Sequence, residues 1–341
     1  MKKLRILLSV ALVAMVLTGC DALHTLSKSN RKTAQGRPYE LVLVANQPIW
    51  MGPLGDSLRA LLAAPIDYLP QTEPEFDVMR VTPDGFTNIV VDHRNILKVV
   101  VDPSLREAAV GVQYDVTAAP QIVLTLQGPS EQAVIDYLAA NGEKLVYAVR
   151  QAERDRAITF AKQFGAPKVE EAIKERFGIT MHVPKGYFVA ANEPDFVWAR
   201  FEQANTSQGF MIYSYPASGA KSLTVEALAA ARKKFAARIP GPSEGSYMTN
   251  SSVFPPTEVR AFRLEGRLWV EMRGFWDVAG DFMGGPFVSY STIDTATGYV
   301  VTLDCYVYAP KLPPHKRNLM HAVEDLLYTV QFPSDKAATT K

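Results

Sequence analysis

The sequence predicts an α+β protein made of two blocks. Strand-like segments alternate with segments of helical spacing throughout, β structure is denser in the second half, and a Gly-Ala-Pro stretch at 165–167 separates the halves. We therefore predict an N-terminal α+β block at 38–166 and a C-terminal α+β block at 167–332. Each block is expected to be α/β-plait-like or a sheet backed by helices.

In the first block, one strand and one helix are followed by three strands and a long helical region. The strands are expected in YELVLVAN, FDVMRVT, NILKVVVD and QIVLTLQG. Leu54, Leu58, Leu61 and Leu62 lie at helical spacing in the first helix. Ser130 is typical of a helix start, and helical spacing continues to about Phe164, with Asn141-Gly142 either ending or bending the helix.

In the second block, alternating segments near 179–191, 195–203 and 209–215 predict strands. A helix beginning after Thr224 and a final helix at about 315–330 follow. Between them, long alternating stretches with turns at Glu265-Gly266 and Thr297-Gly298 predict an antiparallel meander. The order of elements distantly resembles the extrinsic-subunit fold of the photosynthetic oxygen-evolving complex, an analogy that implies nothing about function.

The N-terminus carries an export signal. A basic start is followed by an uncharged apolar stretch from Ile6 to Leu17, which is shorter than the ~20 residues of a membrane-spanning helix. Leu17-Thr18-Gly19-Cys20 resembles the bacterial lipobox, which implies cleavage before Cys20 and attachment of lipid to its sulfur. We predict a lipoprotein signal peptide at 1–19 and a lipidated Cys20. The alternative is an ordinary secretory signal with a coincidental cysteine.

The polar segment at 20–37, which begins with Cys20 and Asp21, is predicted to be a flexible tether. A disordered polar tail is predicted at 333–341. Asp21 leaves the choice between inner and outer membrane open. With Cys20 lipidated, Cys305 has no cysteine to pair with. Its alternation with Tyr299, Val301, Leu303 and Val307 predicts a buried thiol acting as a small apolar group.

The charge balance argues against a nucleic-acid partner. The chain has a formal charge of +1, and loss of three cationic residues with the leader leaves −2, whereas nucleic-acid binding needs a clustered basic surface. Neither a metal site nor a cofactor site is predicted, because common nucleotide-binding and metal-binding motifs are missing from the sequence.

Several titratable residues could in principle be catalytic, but their sequence context favours structural roles. His93, beside Asp92, is expected in a loop or at a strand edge. His315 and His321 are six residues apart, which does not place them on one helical face, so surface positions are predicted. The charged run at 150–156 is expected to be a solvated helix face with weak ion pairs.

The stretch Gly274 to Tyr290 is the best candidate ligand loop. It combines Trp276, Asp277 and Asp281 with Gly284-Gly285. An aromatic ring with carboxylates can hold a sugar, two acids can hydrolyse one, and glycines allow close backbone approach. A β-hairpin with an aromatic side chain in the core would use the same residues, and this structural interpretation is favoured.

Several segments together resemble an uncharacterised family of bacterial envelope lipoproteins defined by a domain of unknown function. They are EPEFDV at 73–78, RNILKVVV at 94–101, APQIV at 119–123, ERDR at 153–156, FGITMHVPKGY at 177–187 and RNLMHAVEDLLYTVQF at 317–332. The resemblance covers nearly all of the chain after Cys20. It implies lipidation and a cell-envelope location, and it implies no catalytic set.

These observations predict a lipid-anchored, extracytoplasmic protein with a non-catalytic binding, scaffolding or assembly role. Its expected partners are the membrane, through the N-terminal lipid, and an unidentified envelope protein or glycan. The alternative is a membrane-anchored hydrolase or binding protein acting on cell-wall or surface polysaccharide, with Asp277 and Asp281 as its acids.

Overall fold

The computed structural model describes residues 31–333, except Leu312 and Pro314. The predicted signal peptide, Cys20, most of the polar segment and the tail from 334 onward lie outside the described residues. The described chain forms two compact units. One contains the chain up to Ala64 together with Phe76–Ala152, and the other contains Pro65–Glu75 and the chain from Glu153 onward. By its contacts, the segment from Glu153 to 166 therefore belongs to the second unit rather than to the first block.

The first unit is built on a five-stranded sheet. Its strands are β2 (Glu40–Val44), β3 (Asp77–Val81), β4 (Asn95–Val101), β5 (Ala109–Tyr114) and β7 (Ile122–Gly128), and the short β1 (Lys32–Thr33) and β6 (Ala118–Ala119) form a separate pair. Its helices are α1 (Gln47–Met51), α2 (Pro53–Leu62) and the start of α3 (Glu131–Gln163), with a 3-10 turn at Asn88–Asp92.

The strands of this sheet run in the order β3-β2-β4-β7-β5 and are mostly parallel. Only β5 runs antiparallel to its neighbour, β7. Parallel sheets need both faces covered, and β2 meets this need: Leu41 and Leu43 join one apolar cluster, whereas Val42 and Val44 join another. The α+β class is confirmed, and the parallel pairing is a feature that the order of elements had not revealed.

Helix α3 continues through Asn141-Gly142 as one helix of 33 residues. A Cβ atom at Gly142 would lie 3.0 Å from a methyl group of Leu61. The glycine therefore allows close packing of α3 against α2, and it neither ends the helix nor marks a boundary.

The second unit is built on an antiparallel sheet with the strand order β11-β13-β14-β15-β10-β9-β8, and β12 also pairs with β13. Its strands are β8 (Phe188–Glu193), β9 (Phe196–Gln203), β10 (Thr206–Pro216), β11 (Tyr247–Asn250), β12 (Val259–Leu264), β13 (Arg267–Ala279), β14 (Gly284–Asp294) and β15 (Tyr299–Tyr308). Its helices are the end of α3, α4 (Pro167–Phe177), α5 (Val225–Ala236) and α6 (Lys316–Glu324), with 3-10 turns at Gly219–Leu223 and Asp325–Thr329. The predicted antiparallel meander is confirmed.

Turn chemistry sets the β12–β13 hairpin. Its loop is the predicted pair Glu265-Gly266, and both residues have positive φ, at 50° and 81°. Positive φ at both loop positions is the geometry that matches the twist of a two-residue hairpin, and glycine adopts it at low cost.

Both faces of this second sheet are buried. Val301, Leu303, Cys305 and Val307 point into one cluster, as their alternation predicted. Tyr299, predicted on the same face, lies at the start of β15 and is 42% exposed. Tyr306 lies in a second cluster on the other face. The Cys305 thiol is fully buried, donates to the Val323 carbonyl oxygen at 3.3 Å, and has its pKa raised by burial. These features suit a small core side chain rather than a nucleophile.

Within residues 31–333, no helix is both long enough and apolar enough to span a membrane.

Candidate functional site

The second unit contains a cavity of about 420 Å³ with almost entirely apolar walls, which we call the apolar pocket. Its volume lies in the range of roughly 300–1,000 Å³ that is typical of small-molecule sites. Its walls come from the end of α3, the segment 184–187, strands β9 and β10, and α6 with the turn after it. The lining residues are Ala157, Ile158, Phe160, Ala161, Pro184, Lys185, Tyr187, Phe201, Gln208, Ala322, Asp325, Leu326 and Thr329.

Backbone hydrogen bonds hold the segment 184–187 beside the end of α3. The Lys185 N–H donates to the Phe164 carbonyl oxygen at 2.7 Å, and the Ala166 N–H donates to the Val183 oxygen at 2.8 Å. On α3, Ala157, Ile158 and Ala161 are spaced three and four residues apart and so share a face. Small side chains at two of these positions leave space between the helix and the sheet.

Exposed aromatic rings and a lysine form the rim of the pocket. Phe160 and Phe164 are 44% and 40% exposed, and their ring centroids lie 5.1 Å apart. The exposed Lys185 places its ammonium 4.7 Å from the Phe164 centroid and 5.8 Å from that of Phe160. The rim is thus apolar and carries a positive charge.

The buried Asp325 is the acidic residue of the pocket lining, and it pairs with Arg154, which is partly buried and does not line the pocket. The Asp325 Oδ1 lies 3.1 Å from the Arg154 Nε, and the Arg154 guanidinium stacks 3.4 Å from the ring centroid of Tyr328. Burial raises the pKa of Asp325 to about 6, and the charge of Arg154 opposes that rise. Glu324 precedes Asp325 in the chain. Burial acts to raise the pKa of Glu324, but the charges of Arg273 and His321 keep that pKa below its ordinary value.

Asp325 should make stability depend on pH. Its pKa is raised from 3.8 to about 6 in the folded state, so the folded chain holds the proton more tightly than the unfolded chain. The unfolding free energy should therefore fall as pH rises from about 4 to about 6, by about 1–3 kcal/mol. Urea unfolding across this pH range should show the fall, and Asp325→Asn should remove it.

The lowered pKa of His93 makes the unfolding free energy rise with pH, which is the opposite slope. The wild type and Asp325→Asn share this contribution, so it cancels when their pH profiles are subtracted. Identical pH profiles for the wild type and Asp325→Asn would contradict the assignment.

The prediction of a solvated face at 150–156 is wrong. Glu153 is 4% exposed. The Glu153 Oε1 pairs with the Arg156 Nη1 at 3.0 Å, and the two side chains are 3% and 9% exposed. Helical spacing correctly paired these residues, but it could not show that this face of α3 packs against the turn that carries Asp325 and Tyr328.

Of the two histidines near the last helix, His321 is less exposed than predicted, whereas the His315 side chain is 38% exposed, which fits a surface position. His321 Nδ1 lies 2.9 Å from the Glu324 Oε2, with the histidine side chain 13% exposed. His315 Nδ1 lies 3.3 Å from the buried Glu73 carboxylate, which also accepts the Lys316 and Arg317 N–H groups at the start of α6. Among the described residues, no group of three or more His, Cys, Asp or Glu side chains could hold a metal ion.

His93 lies in the connection between the 3-10 turn at Asn88–Asp92 and β4, as predicted, but it is only 6% exposed. The carboxylate of the adjacent Asp92 pairs instead with the Lys32 ammonium, at 2.9 Å.

The candidate ligand loop is the β13–β14 hairpin. Trp276 is 1% exposed, donates to the Val307 carbonyl oxygen at 3.3 Å and meets the Tyr306 ring edge-on at 5.6 Å. Asp277 lies in β13, opposite Gly284. Asp281, in the turn, accepts hydrogen bonds from the Ser243 hydroxyl and the Phe282 N–H, and these lower its pKa.

The glycines of this hairpin serve the sheet. A Cβ atom on Gly285 would lie 2.1 Å from the Val307 carbonyl oxygen, and one on Gly284 would lie 2.7 Å from the Trp276 carbonyl oxygen. Their close backbone approaches are therefore to other parts of the sheet.

Trp276 borders a second cavity in this unit, the aromatic cleft, of about 450 Å³. Residues of its wall include Trp198, Arg200, Glu202, Trp276, Met283 and Tyr306. The Trp198 Nε1 donates to the Tyr306 hydroxyl at 2.8 Å, and the Arg200 guanidinium stacks 5.0 Å from the Trp198 ring centroid. Asp277 and Asp281 do not line the cleft. Among the described residues, the carboxylate that lines it belongs to Glu202.

The chain matches two family models, and each of them describes a domain of unknown function. Residues 166–329 match the family model described as Domain of unknown function (DUF4837), and residues 34–162 match the one described as Domain of unknown function (DUF8532). Both matched domains are of unknown function, which is consistent with the predicted resemblance to an uncharacterised family. No curated protein matches it.

Three similar solved structures each cover nearly half of this chain. Cyanobacterial PsbP from Synechocystis sp. PCC 6803 has 14% identity, a TM-score of 0.31, and coverage of 46% of this chain and 86% of its own. The Ran-binding protein Mog1p of Saccharomyces cerevisiae has 11% identity, a TM-score of 0.31, and coverage of 47% and 94%.

LpqN, described as involved in cell envelope biogenesis of Mycobacterium tuberculosis, has 14% identity, a TM-score of 0.26, and coverage of 45% and 82%. Similarities of this degree say nothing about a ligand or partner of this chain.

Proposed function

We propose that this protein is a lipid-anchored, extracytoplasmic binding protein of the bacterial cell envelope. Its anchor is the lipid on Cys20, and its binding function resides in the second unit, which takes an apolar small molecule into the apolar pocket. The role is non-catalytic.

The apolar pocket is the observation that carries this proposal. A preformed apolar cavity with a few polar groups is the usual form of a small-molecule site. Exposed Phe160 and Phe164 continue its apolar surface to the solvent. The leader and the lipobox-like sequence ending at Cys20 support the location.

Binding of N-phenyl-1-naphthylamine, a neutral apolar fluorophore, tests the pocket. The mature chain carrying Cys20→Ser needs no detergent and should bind the dye with increased fluorescence. Ala322→Trp adds a large ring at an exposed, pocket-lining position and should weaken binding about tenfold or more, because the ring displaces the ligand. Ala190→Trp, on exposed β8, is the matched control and should bind normally. Equal binding by the two variants would contradict the proposal.

Carbohydrate binding at the aromatic cleft is the second candidate function. Arg200 and Glu202 offer a donor and an acceptor for hydroxyl groups there. The rings of Trp198, Trp276 and Tyr306 form the wall beside them and are each 5% exposed or less. The cleft favours binding over hydrolysis, because a glycoside hydrolase needs two carboxyl groups, one with a raised pKa. Among the described residues, Glu202 is the single carboxylate that lines the cleft.

The hydrolase alternative is tested by replacing Asp277 and Asp281 with Asn together. If the protein is not a hydrolase, this folded double variant should fully rescue a deletion strain. Failure to rescue, with normal folding, would favour hydrolysis.

A further inference from the structure

We propose that the natural ligand of the apolar pocket is a single-chain amphiphile with an anionic head. Its alkyl chain lies inside the pocket, and its head group lies at the rim against Lys185. This inference rests on the proposed function of the pocket and adds the chemical class of the ligand.

The positive charge at the rim selects the sign of the head group. Lys185 is exposed, and its ammonium lies over the faces of Phe164 and Phe160. Among residues 31–333, no carboxylate lies within ion-pair distance of this ammonium. A carboxylate, sulfate or phosphate head would supply the missing counter-charge, whereas a cationic head would meet a like charge.

The interior does not require a charged ligand group. Asp325, the acidic residue of the lining, is already paired with Arg154 at 3.1 Å. The Thr329 hydroxyl donates to the Leu326 carbonyl oxygen at 2.7 Å. The polar group of an incoming amphiphile therefore gains more at the rim, where water and Lys185 solvate it, than inside.

The rest of the wall suits an alkyl chain. Ala157, Ile158, Ala161 and Leu326 present only aliphatic groups, and the rings of Phe160, Tyr187 and Phe201 add apolar surface. Gln208 is a polar side chain in this part of the wall. Burial of each methylene is favourable by a nearly constant increment, so affinity should rise about tenfold for every two methylenes added until the pocket is full.

The test is displacement of N-phenyl-1-naphthylamine from the mature Cys20→Ser chain. The competitors are decanoate, neutral decanol and cationic decyltrimethylammonium, with octanoate and dodecanoate to vary the chain length. The measured quantity is the ratio of decanoate affinity to decanol affinity, because the contribution of the shared alkyl chain then largely cancels.

Lys185→Gln should lower this ratio about two- to fivefold, the range expected for an exposed charge pair. Lys162→Gln, a matched exposed lysine at the end of α3 that does not line the pocket, should leave the ratio unchanged. Added salt should reduce the ratio in the wild type, and decyltrimethylammonium should compete less well than decanoate.

The failures of this inference and of the proposed function are distinguishable. If the dye binds but Lys185→Gln leaves the ratio unchanged, or if the cationic competitor binds best, the anionic class is overturned and the pocket function stands. If neither the dye nor any competitor binds, both are overturned.

Discussion

Arg232→Ala should lower the unfolding free energy of the second unit by about 3–5 kcal/mol, the usual cost of leaving a buried charge without its partner. The Arg232 Nε and Nη2 donate to the two carboxylate oxygens of Asp304 at 2.8 and 3.1 Å, and both side chains are 0% exposed. The guanidinium also donates to Asn250 at 2.9 Å and lies 3.5 Å from the ring centroid of Phe287. Burial raises the pKa of Asp304, and Arg232 opposes that rise.

Urea unfolding, followed by tryptophan fluorescence, measures the loss. Arg238→Ala is the matched control, because its pair with Asp195 is partly exposed, with side chains 26% and 46% accessible, and should cost about 1 kcal/mol or less. Arg232→Met combined with Asp304→Leu should recover most of the stability, since apolar side chains can replace a buried pair at low cost. A loss in Arg232→Ala no larger than that in Arg238→Ala would refute the role of this pair.

Cys20→Ala should abolish lipid attachment completely. The predicted chemistry requires a sulfur nucleophile at this position, and leader cleavage is expected to follow lipidation. Metabolic labelling with an alkyne fatty acid should fall to background, and uncleaved precursor should accumulate. Each buried methylene of an attached acyl chain contributes about 0.8 kcal/mol to membrane binding, and stable anchoring takes two lipid signals. A processed chain that has lost its lipid should therefore appear in the soluble fraction.

Cys305→Ala is the control for labelling. Cys305 is fully buried, so its removal should leave incorporation of the fatty acid unchanged. Retained labelling in Cys20→Ala, or an unmodified amino terminus at another position in mass spectra of the mature protein, would reject the lipid anchor.

The strands and hairpins of the second unit were largely predictable because their determinants are local. Period-two alternation predicted the face of β15 that carries Leu303 and Cys305, and both point into one core cluster. The Glu265-Gly266 loop followed from turn chemistry alone. The first sheet was less predictable, because its parallel pairing joins strands that are distant in sequence and have no hairpin loops to reveal them.

The candidate site shows the same division. Sequence reasoning singled out Trp276, and the structure places it on the wall of the aromatic cleft. It also grouped Asp277 and Asp281 with Trp276 because they are close in sequence, yet neither lines that cleft. No sequence motif marks the apolar pocket, because common residues such as alanine, leucine and phenylalanine from five separate segments form its wall.

The sequence alone predicts the export signal with its lipobox-like cysteine, the α+β class and the local turns, because each depends on residues that are neighbours in the chain. Tertiary structure alone decides the burial of Glu153, the pairing of Arg154 with Asp325 and of Arg232 with Asp304, and the two cavities. The physical reason is that burial and charge pairing depend on which distant segments pack together, and a one-dimensional pattern does not contain that information.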